Sequence, residues 1–149
     1  MQLNISTENP DLPKHKCLAL GIFADEKPPR GICGFIDWRL NGMISREIKQ
    51  KRILGEFGEK IIIPFLPRIG SEMLLLFGLG KVSDINYDKI YNAAYIITQT
   101  VDKMVLDSFA FDLYGGMPGN SWIGFSKGDT RLRSERGSLF ESAAWFCRN

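Results

Sequence analysis

Two glycine-rich loops contain the residues whose type and spacing best suit ligand chemistry in this chain. The first is Gly78-Leu79-Gly80-Lys81, and the second includes the neighbouring pair Gly115 and Gly116. Glycines at a strand end let backbone N–H groups approach an anion, and Lys81 would add positive charge at the first loop. That loop lacks the third glycine of a dinucleotide fingerprint and the full spacing of a phosphate loop. A close-packed turn is therefore the favoured interpretation, and a ligand site at the two loops is the alternative.

The remaining polar residues form no recognisable catalytic or metal-binding pattern. His15 is the single histidine, and it lies in a polar N-terminal stretch where we expect it to be solvated. A Cys–His or Ser–His–Asp arrangement would need this histidine as its base. The cysteines form no Cys-x-x-Cys pair, and the aspartates show no metal-ligand spacing. The sequence therefore predicts no catalytic residue, no metal and no cofactor.

The composition is that of an ordinary globular protein. The chain has 149 residues, 44% of them hydrophobic, and a formal net charge of +2. It contains no apolar run near the roughly 18 residues of a membrane span, and its polar N-terminus is unlike a signal peptide. We therefore expect a cytoplasmic location, reduced cysteines and no membrane contact. A protein partner or self-association is the expected mode of interaction, and nucleic-acid binding is disfavoured despite the basic residues after position 126.

The elements that must position the loops begin with a pair of strands. Two apolar runs of strand length cover Ile61 to Leu66 and Met73 to Phe77, with a Pro/Gly turn between them. Both are apolar at nearly every position, which is typical of strands buried on both faces. Because the turn is too short for a parallel crossover, the pair is predicted to form an antiparallel hairpin. Further strands are predicted over residues 17–23, 108–114 and 121–125.

Two other segments show helical periodicity, and the apolar residues of the tail make it a third candidate. Residues 34–52 carry an apolar stripe at helical spacing, made of Ile36, Leu40, Met43 or Ile44, and Ile48. Gly42 is a weak point inside this helix, and close backbone approach to a neighbour would explain it. Residues 87–106 form the clearest helix, and a last helix is predicted over residues 131–147. This order of elements predicts an α/β fold with a mixed sheet and helices packed on it.

The length of the chain predicts one domain. Residues 1–16 are predicted to be a flexible N-terminal arm, and residues 17–149 to form the single domain. Ile62, Leu75 and Val101 are predicted to be buried, the first two on the sheet and the third on the helix that covers it.

A motif in the first helical segment resembles a known family. Asp37-Trp38-Arg39-Leu40-Asn41-Gly42, with Ser45 one turn later, looks like the first-helix motif of the N-terminal domain of leucyl aminopeptidases, peptidase family M17. Leu74 to Lys81 is similar to the valine-glycine-leucine-glycine strand end of that domain, and Tyr87 to Leu106 is similar to its second helix. The resemblance covers residues 17–114.

The resemblance carries implications for fold and function. It implies a macro-domain-like α/β fold, a three-layer α/β/α sandwich around a mixed central sheet. In that family the zinc ligands and the catalytic lysine and arginine belong to a separate C-terminal domain, whose Asn-Thr-Asp-Ala-Glu-Gly-Arg signature is absent from this sequence. The expected function is therefore that of a stand-alone, non-catalytic module for protein interaction or regulation.

Two other functions remain open from the sequence. One is a macro-type domain that binds or hydrolyses a nucleotide or an ADP-ribose-like molecule, and the other is a weak DNA-binding module. ADP-ribose binders of this fold carry a glycine triplet after their first strand, and residues 24–31 contain none. We therefore expect an ADP-ribose dissociation constant of about 1 mM or more.

Overall fold

The computed structural model of the protein describes residues 2–6, 9–12, 14–64, 66–106, 108–113 and 122–126. Within these ranges the chain forms six strands, three α-helices and one 3-10 turn. In chain order they are β1 (Gln2–Ser6), β2 (Cys17–Phe23), α1 (Gly31–Arg39), α2 (Met43–Lys49), β3 (Lys60–Pro64), β4 (Met73–Gly80), the 3-10 turn Val82–Asp84, α3 (Tyr87–Lys103), β5 (Ser108–Asp112) and β6 (Trp122–Ser126). The residues predicted to form the last helix, 131–147, lie outside the described residues.

All six strands belong to one sheet with the order β1-β6-β5-β2-β4-β3. Strand β2 is central and runs parallel to both β4 and β5. The other pairings, β3 with β4, β5 with β6 and β1 with β6, are antiparallel. The mixed sheet is therefore confirmed, and so is the antiparallel pair formed by the two central apolar runs.

Helices cover both faces of the sheet. On one face, α3 packs its buried residues Ala93, Ile97 and Val101 into a cluster that includes Leu75 and Phe77 of β4. On the opposite face, α1 and α2 supply Ile36, Leu40, Ile44 and Ile48 to a second cluster with the alternate residues of β2 and β4. The three-layer α/β/α arrangement is thus present, and the predicted burial of Leu75 and Val101 is confirmed. None of the described helices is both long and apolar enough to cross a lipid bilayer.

The prediction that Ile62 is buried is wrong. Strand β3 lies at the end of the strand order, and Ile62 is 47% exposed. The strand alternates between exposed and half-buried residues, because only its Ile61 and Ile63 side contacts the cluster under α1 and α2. An apolar run resembles a central strand even when it lies at a sheet edge.

Gly42 separates two helices instead of lying inside one. Asn41 and Gly42 have φ angles of 57° and 69°, in the left-handed region, so the single helix predicted over residues 34–52 is broken there. A Cβ atom at Gly42 would have no neighbour within 4 Å, so close approach is not the reason for this glycine. Asp37 caps the second helix from a distance, since its carboxylate accepts the Ser45 N–H at 3.1 Å and the Ser45 hydroxyl at 2.5 Å.

Some residues of the stretch before β2 are hydrogen-bonded to the rest of the domain. Strand β1 pairs with β6, from Gln2 opposite Ser126 to Ser6 opposite Trp122. Asp11 accepts the Gly70 N–H through its carbonyl oxygen at 2.7 Å. These backbone hydrogen bonds involve residues 2–6 and Asp11, and the flexible arm predicted over residues 1–16 stays a prediction.

Candidate functional site

The first glycine loop contacts a tight turn that precedes β3. In this turn the Glu59 N–H donates to the Glu56 carbonyl oxygen at 3.0 Å, and Gly58 has a φ of 87°. The Gly58 N–H donates to the carbonyl oxygen of Gly78, and the Gly78 N–H donates to that of Glu59. This combination of a left-handed glycine and two residues opposite one defines a G1 β-bulge.

The bulge uses the backbone groups that an anion site would need. The Gly78 N–H donates to Glu59 at 2.8 Å, and the Gly80 N–H donates to the Gly55 carbonyl oxygen at 2.9 Å. An anion-binding loop must instead direct such N–H groups toward the ligand. Gly78 and Gly80 therefore bind a segment of their own chain, as the close-packed-turn interpretation predicts.

Close packing explains why two of these residues are glycines. A Cβ atom at Gly78 would lie 1.9 Å from the carbonyl oxygen of Glu56. A Cβ atom at Gly55 would lie 2.7 Å from the backbone of Phe23, at the end of β2. The segment of residues 55–59 is thus held against the carboxyl ends of β2 and β4, with no room for a side chain at Gly55 or Gly78.

This position is the topological switch point of the sheet. Strand β2 leads to α1 on one face, whereas β4 leads to α3 on the other, and ligands of open α/β sheets bind in the crevice between two such strands. Here the strand ends are joined directly, since the Ala24 N–H donates to the Gly80 carbonyl oxygen and the Val82 N–H to the Asp25 carboxylate, both at 2.9 Å. Lys81 lies beside them with an exposed side chain.

Phe57 fixes the turn on the α3 side. Its ring lies edge-on to Phe77, with 6.0 Å between the ring centroids, and the Lys89 ammonium lies 5.8 Å from its centre. The turn is therefore anchored by an aromatic contact as well as by hydrogen bonds. Gly115 and Gly116 of the second loop lie outside the described residues, and their part in a ligand site stays a prediction.

The described cysteines are unsuited to nucleophilic chemistry. Cys33 is buried, and burial together with the negative charges of Asp37, Asp112 and Glu26 raises the pKa of its thiol to about 12. Burial also raises the pKa of the Cys17 thiol to about 11. Because the reactive form of cysteine is the thiolate, both groups are inert near neutral pH. Cys147 lies outside the described residues.

His15 is partly buried, which differs from the solvated position predicted for it. Its burial lowers the pKa of the imidazole, and its carbonyl oxygen accepts the Glu72 N–H at 3.2 Å. Among the residues that the structure describes, no three histidine, cysteine or acidic side chains lie together as metal ligands.

An exposed aromatic surface on α1 is the feature that the sequence reasoning missed. Trp38 is 69% exposed, and its ring centroid lies 6.1 Å from that of Phe35. The exposure of Trp38 could have been predicted from the helical stripe. Ile36 and Leu40 lie on the buried side of the helix, and Trp38 is two residues from each, a spacing that places it on a different face. A tryptophan at that spacing must face away from the core.

Charged residues hold the surroundings of Trp38 in place. The Arg39 guanidinium lies 5.9 Å from the Trp38 ring centre, and its Nε lies 2.8 Å from the buried carboxylate of Asp11. Leu12, next to Asp11, is 63% exposed. Arg68 donates to the Asn41 side chain at 2.7 Å on the same side of the domain. We call Leu12, Phe35, Trp38, Arg39 and Arg68 the Trp38 surface.

Comparisons with known proteins agree on one kind of domain. A family model described as "Cytosol aminopeptidase family, N-terminal domain" matches residues 19–116. A probable cytosol aminopeptidase from a Sulfurihydrogenibium species is 29% identical over 112 residues, which are 75% of this chain and 22% of that protein. A probable cytosol aminopeptidase from a Geobacter species is 29% identical over 113 residues, 76% of this chain and 23% of that protein.

A solved structure supports the same fold. A mutant of tomato leucine aminopeptidase superposes with a TM-score of 0.51 and 18% sequence identity, over 70% of this chain and 22% of that protein. At this identity the likeness bears on the fold alone, and the macro-domain likeness stays a prediction. The chain spans about a fifth of the length of the curated relatives it matches.

Proposed function

This chain belongs to the cytosol aminopeptidase family through its match to the N-terminal domain, and from that premise we propose that it works as a non-catalytic module for protein interaction or regulation. The relatives are named as cytosol aminopeptidases, but the matched part is only 22% of the first of them. We therefore assign this domain a binding role rather than the hydrolytic activity. We propose that the protein performs this role in the cytoplasm.

The observation that carries the proposal is the exposed Trp38 ring, which lies beside Phe35 and the ion-paired Arg39. Tryptophan and arginine are the residue types most enriched among those that dominate the binding energy of protein interfaces. The Arg39–Asp11 ion pair is partly buried, so Arg39 is ordered before a partner arrives. Binding then requires less loss of side-chain freedom, which favours affinity.

The ligand-binding alternative has less support at the first glycine loop. Gly78 and Gly80 donate their N–H groups to Glu59 and Gly55, so a phosphate there would have to displace the segment of residues 55–59. Lys81 alone offers one exposed charge, and an isolated surface charge contributes little to affinity.

We expect the purified 149-residue chain to show no metal-dependent hydrolysis of leucine amide. Aminopeptidase chemistry of this type uses paired metal ions, which need a cluster of acidic ligands. The assay would be run with added Zn²⁺ or Mn²⁺, with a full-length cytosol aminopeptidase as the active control. Hydrolysis by the pure chain that disappears with chelator would contradict the non-catalytic assignment.

Photocross-linking at position 38 tests the interaction role. A benzoylphenylalanine placed at Trp38 in the source cell is expected to form an adduct with one discrete protein, because this ring lies at the centre of the proposed contact. The matched control places the same group at exposed Asp102 on α3, on the opposite face of the sheet. Adducts are read by mass-resolved blotting and identified by peptide sequencing.

The cross-linking experiment tests whether a partner binds at the Trp38 surface. An adduct at position 38 that is absent at position 102 supports a partner on the Trp38 surface. No adduct at position 38, or the same adducts at both positions, would contradict it. Trp38→Ala should leave stability within about 0.5 kcal/mol, as for other exposed positions, so loss of binding in that variant would not reflect unfolding.

A further inference from the structure

The outer edge of β3 is a second surface with a defined geometry. Strand β3 is the last strand in the order of the sheet, and among the described strands only β4 pairs with it. Its sequence, Lys-Ile-Ile-Ile-Pro, is apolar at four of five positions. An exposed strand edge of this kind is a template for pairing with another strand.

The bulge before β3 determines which backbone groups face that edge. Because Glu59 and Gly78 form a hydrogen-bonded pair, Ile61 and Ile63 are the next residues along β3 that bond to β4. The intervening residues Lys60, Ile62 and Pro64 direct their backbone groups away from β4. Pro64 fits this pattern, since its missing N–H would lie on the outer side and removes no bond to β4.

We propose that two copies of this chain pair through β3, antiparallel, with Ile62 opposite Ile62 of the second copy. In this register each Ile62 exchanges both of its backbone hydrogen bonds with its counterpart. Each Lys60 N–H then donates to the carbonyl oxygen of Pro64 in the other copy. The result is an isologous two-fold interface that joins the two six-stranded sheets into one.

Side chains favour a second copy as the occupant of this edge. The register places Lys60 opposite Pro64, so the two lysines do not face each other and no like charges are paired. Ile62 is 47% exposed, and directly opposed residues of an antiparallel pair share a face of the sheet. The two Ile62 side chains therefore cover each other's exposed area.

The proposed contact is small, and its size limits the affinity between the two copies. Five residues of each copy take part, and Pro64 supplies no donor, so four backbone hydrogen bonds form across the interface. Interfaces that bury less than about 1,200 Å² belong to the weak, transient class. The dimer is therefore reversible and populated at high protein concentration.

A disulfide trap tests the register directly. In a Cys147→Ser background, Ile62→Cys places two thiols at a hydrogen-bonded pair, where a Cα separation of about 5.5 Å suits a disulfide. The native Cys17 and Cys33 are buried with raised thiol pKa values and do not compete. In a glutathione redox buffer most of the Ile62→Cys protein should become a covalent dimer.

Lys60→Cys is the matched control for this trap. Position 60 faces position 64 of the other copy, so two cysteines at position 60 lie about 13 Å apart along the strand and cannot bridge. We expect its dimer yield to be at least about tenfold lower, since disulfide formation needs Cα atoms within about 7 Å. Equal yields at the two positions, or no dimer from Ile62→Cys, would overturn the register.

Sedimentation of the unmodified chain tests the dimer without any introduced cysteine. The weight-average mass should rise toward roughly twice the monomer mass at millimolar concentration, as for a two-fold dimer, and Ile62→Lys should abolish this rise. A chain that stays monomeric, or a dimer that Ile62→Lys leaves intact, would refute the pairing. Trp38→Ala should not change the dimer, so this result and the cross-linking result can fail independently.

Discussion

Leu75→Ala is expected to lower the free energy of unfolding by about 2–5 kcal/mol, the range for large-to-small changes at fully buried positions. Leu75 is completely buried in β4 and lies between Ala19 of β2 and Ile62 of β3 in the register of the sheet. Its side chain contacts the cluster under α3, which includes Ile97 and Val101. Truncation would leave a cavity that β2, β3 and β4, fixed by their strand pairing, cannot close.

Ile62→Ala is the matched control for this substitution. Ile62 lies directly opposite Leu75 but is 47% exposed, so its truncation removes less buried surface and opens no cavity. We expect a loss below about 1 kcal/mol in the monomer at low concentration, in proportion to the apolar area affected. Urea unfolding of both variants, with the slope against denaturant checked for constancy, gives the comparison. A Leu75→Ala loss below about 1 kcal/mol would mean that β4 is misplaced.

The sequence predicted the interior of the fold better than its edges. The apolar run at Met73 to Phe77 and the periodic segment from Tyr87 correspond to β4 and α3, because burial on the sheet imposes both patterns. The run at Ile61 to Leu66 has the same character, yet β3 lies at the edge. Strand order depends on long-range pairing, which an apolar run does not encode.

The single helix predicted over residues 34–52 was wrong at Gly42 because the backbone conformation there is not visible in the pattern of apolar residues. The stripe of apolar residues continues across that position, since both α1 and α2 pack on the same face of the sheet. The left-handed φ angles at Asn41 and Gly42 break the helix without interrupting the stripe. The glycine was visible in the sequence, but its φ was not.

The glycine loop shows why the candidate site could be predicted only in part. Glycines that admit a phosphate and glycines that admit a carbonyl oxygen have the same sequence signature. What distinguishes them is residues 55–59, which lie about twenty positions earlier in the chain and supply the acceptors for Gly78 and Gly80. That pairing depends on the turn at Gly58, whose positive φ allows the bulge.

Gly78→Ala is expected to destabilise the protein by on the order of 3 kcal/mol. The added Cβ would lie 1.9 Å from the Glu56 carbonyl oxygen. The backbone fixes the position of a Cβ atom and the oxygen belongs to the backbone, so no side-chain rotation relieves the contact. The turn must then move away from β4. That movement breaks the three hydrogen bonds that join Gly78 and Gly80 to residues 55–59, each worth about 1 kcal/mol.

Gly58→Ala in the same bulge separates crowding from backbone strain. A Cβ atom at Gly58 meets nothing within 4 Å, so this variant suffers only from its φ of 87°, a strain of about 1–2 kcal/mol for a residue with a Cβ. Denaturant unfolding of the two variants side by side should show the larger loss for Gly78→Ala. If Gly78→Ala were the milder change, the turn would be yielding to the methyl group, and the crevice at the ends of β2 and β4 would be able to open for a ligand.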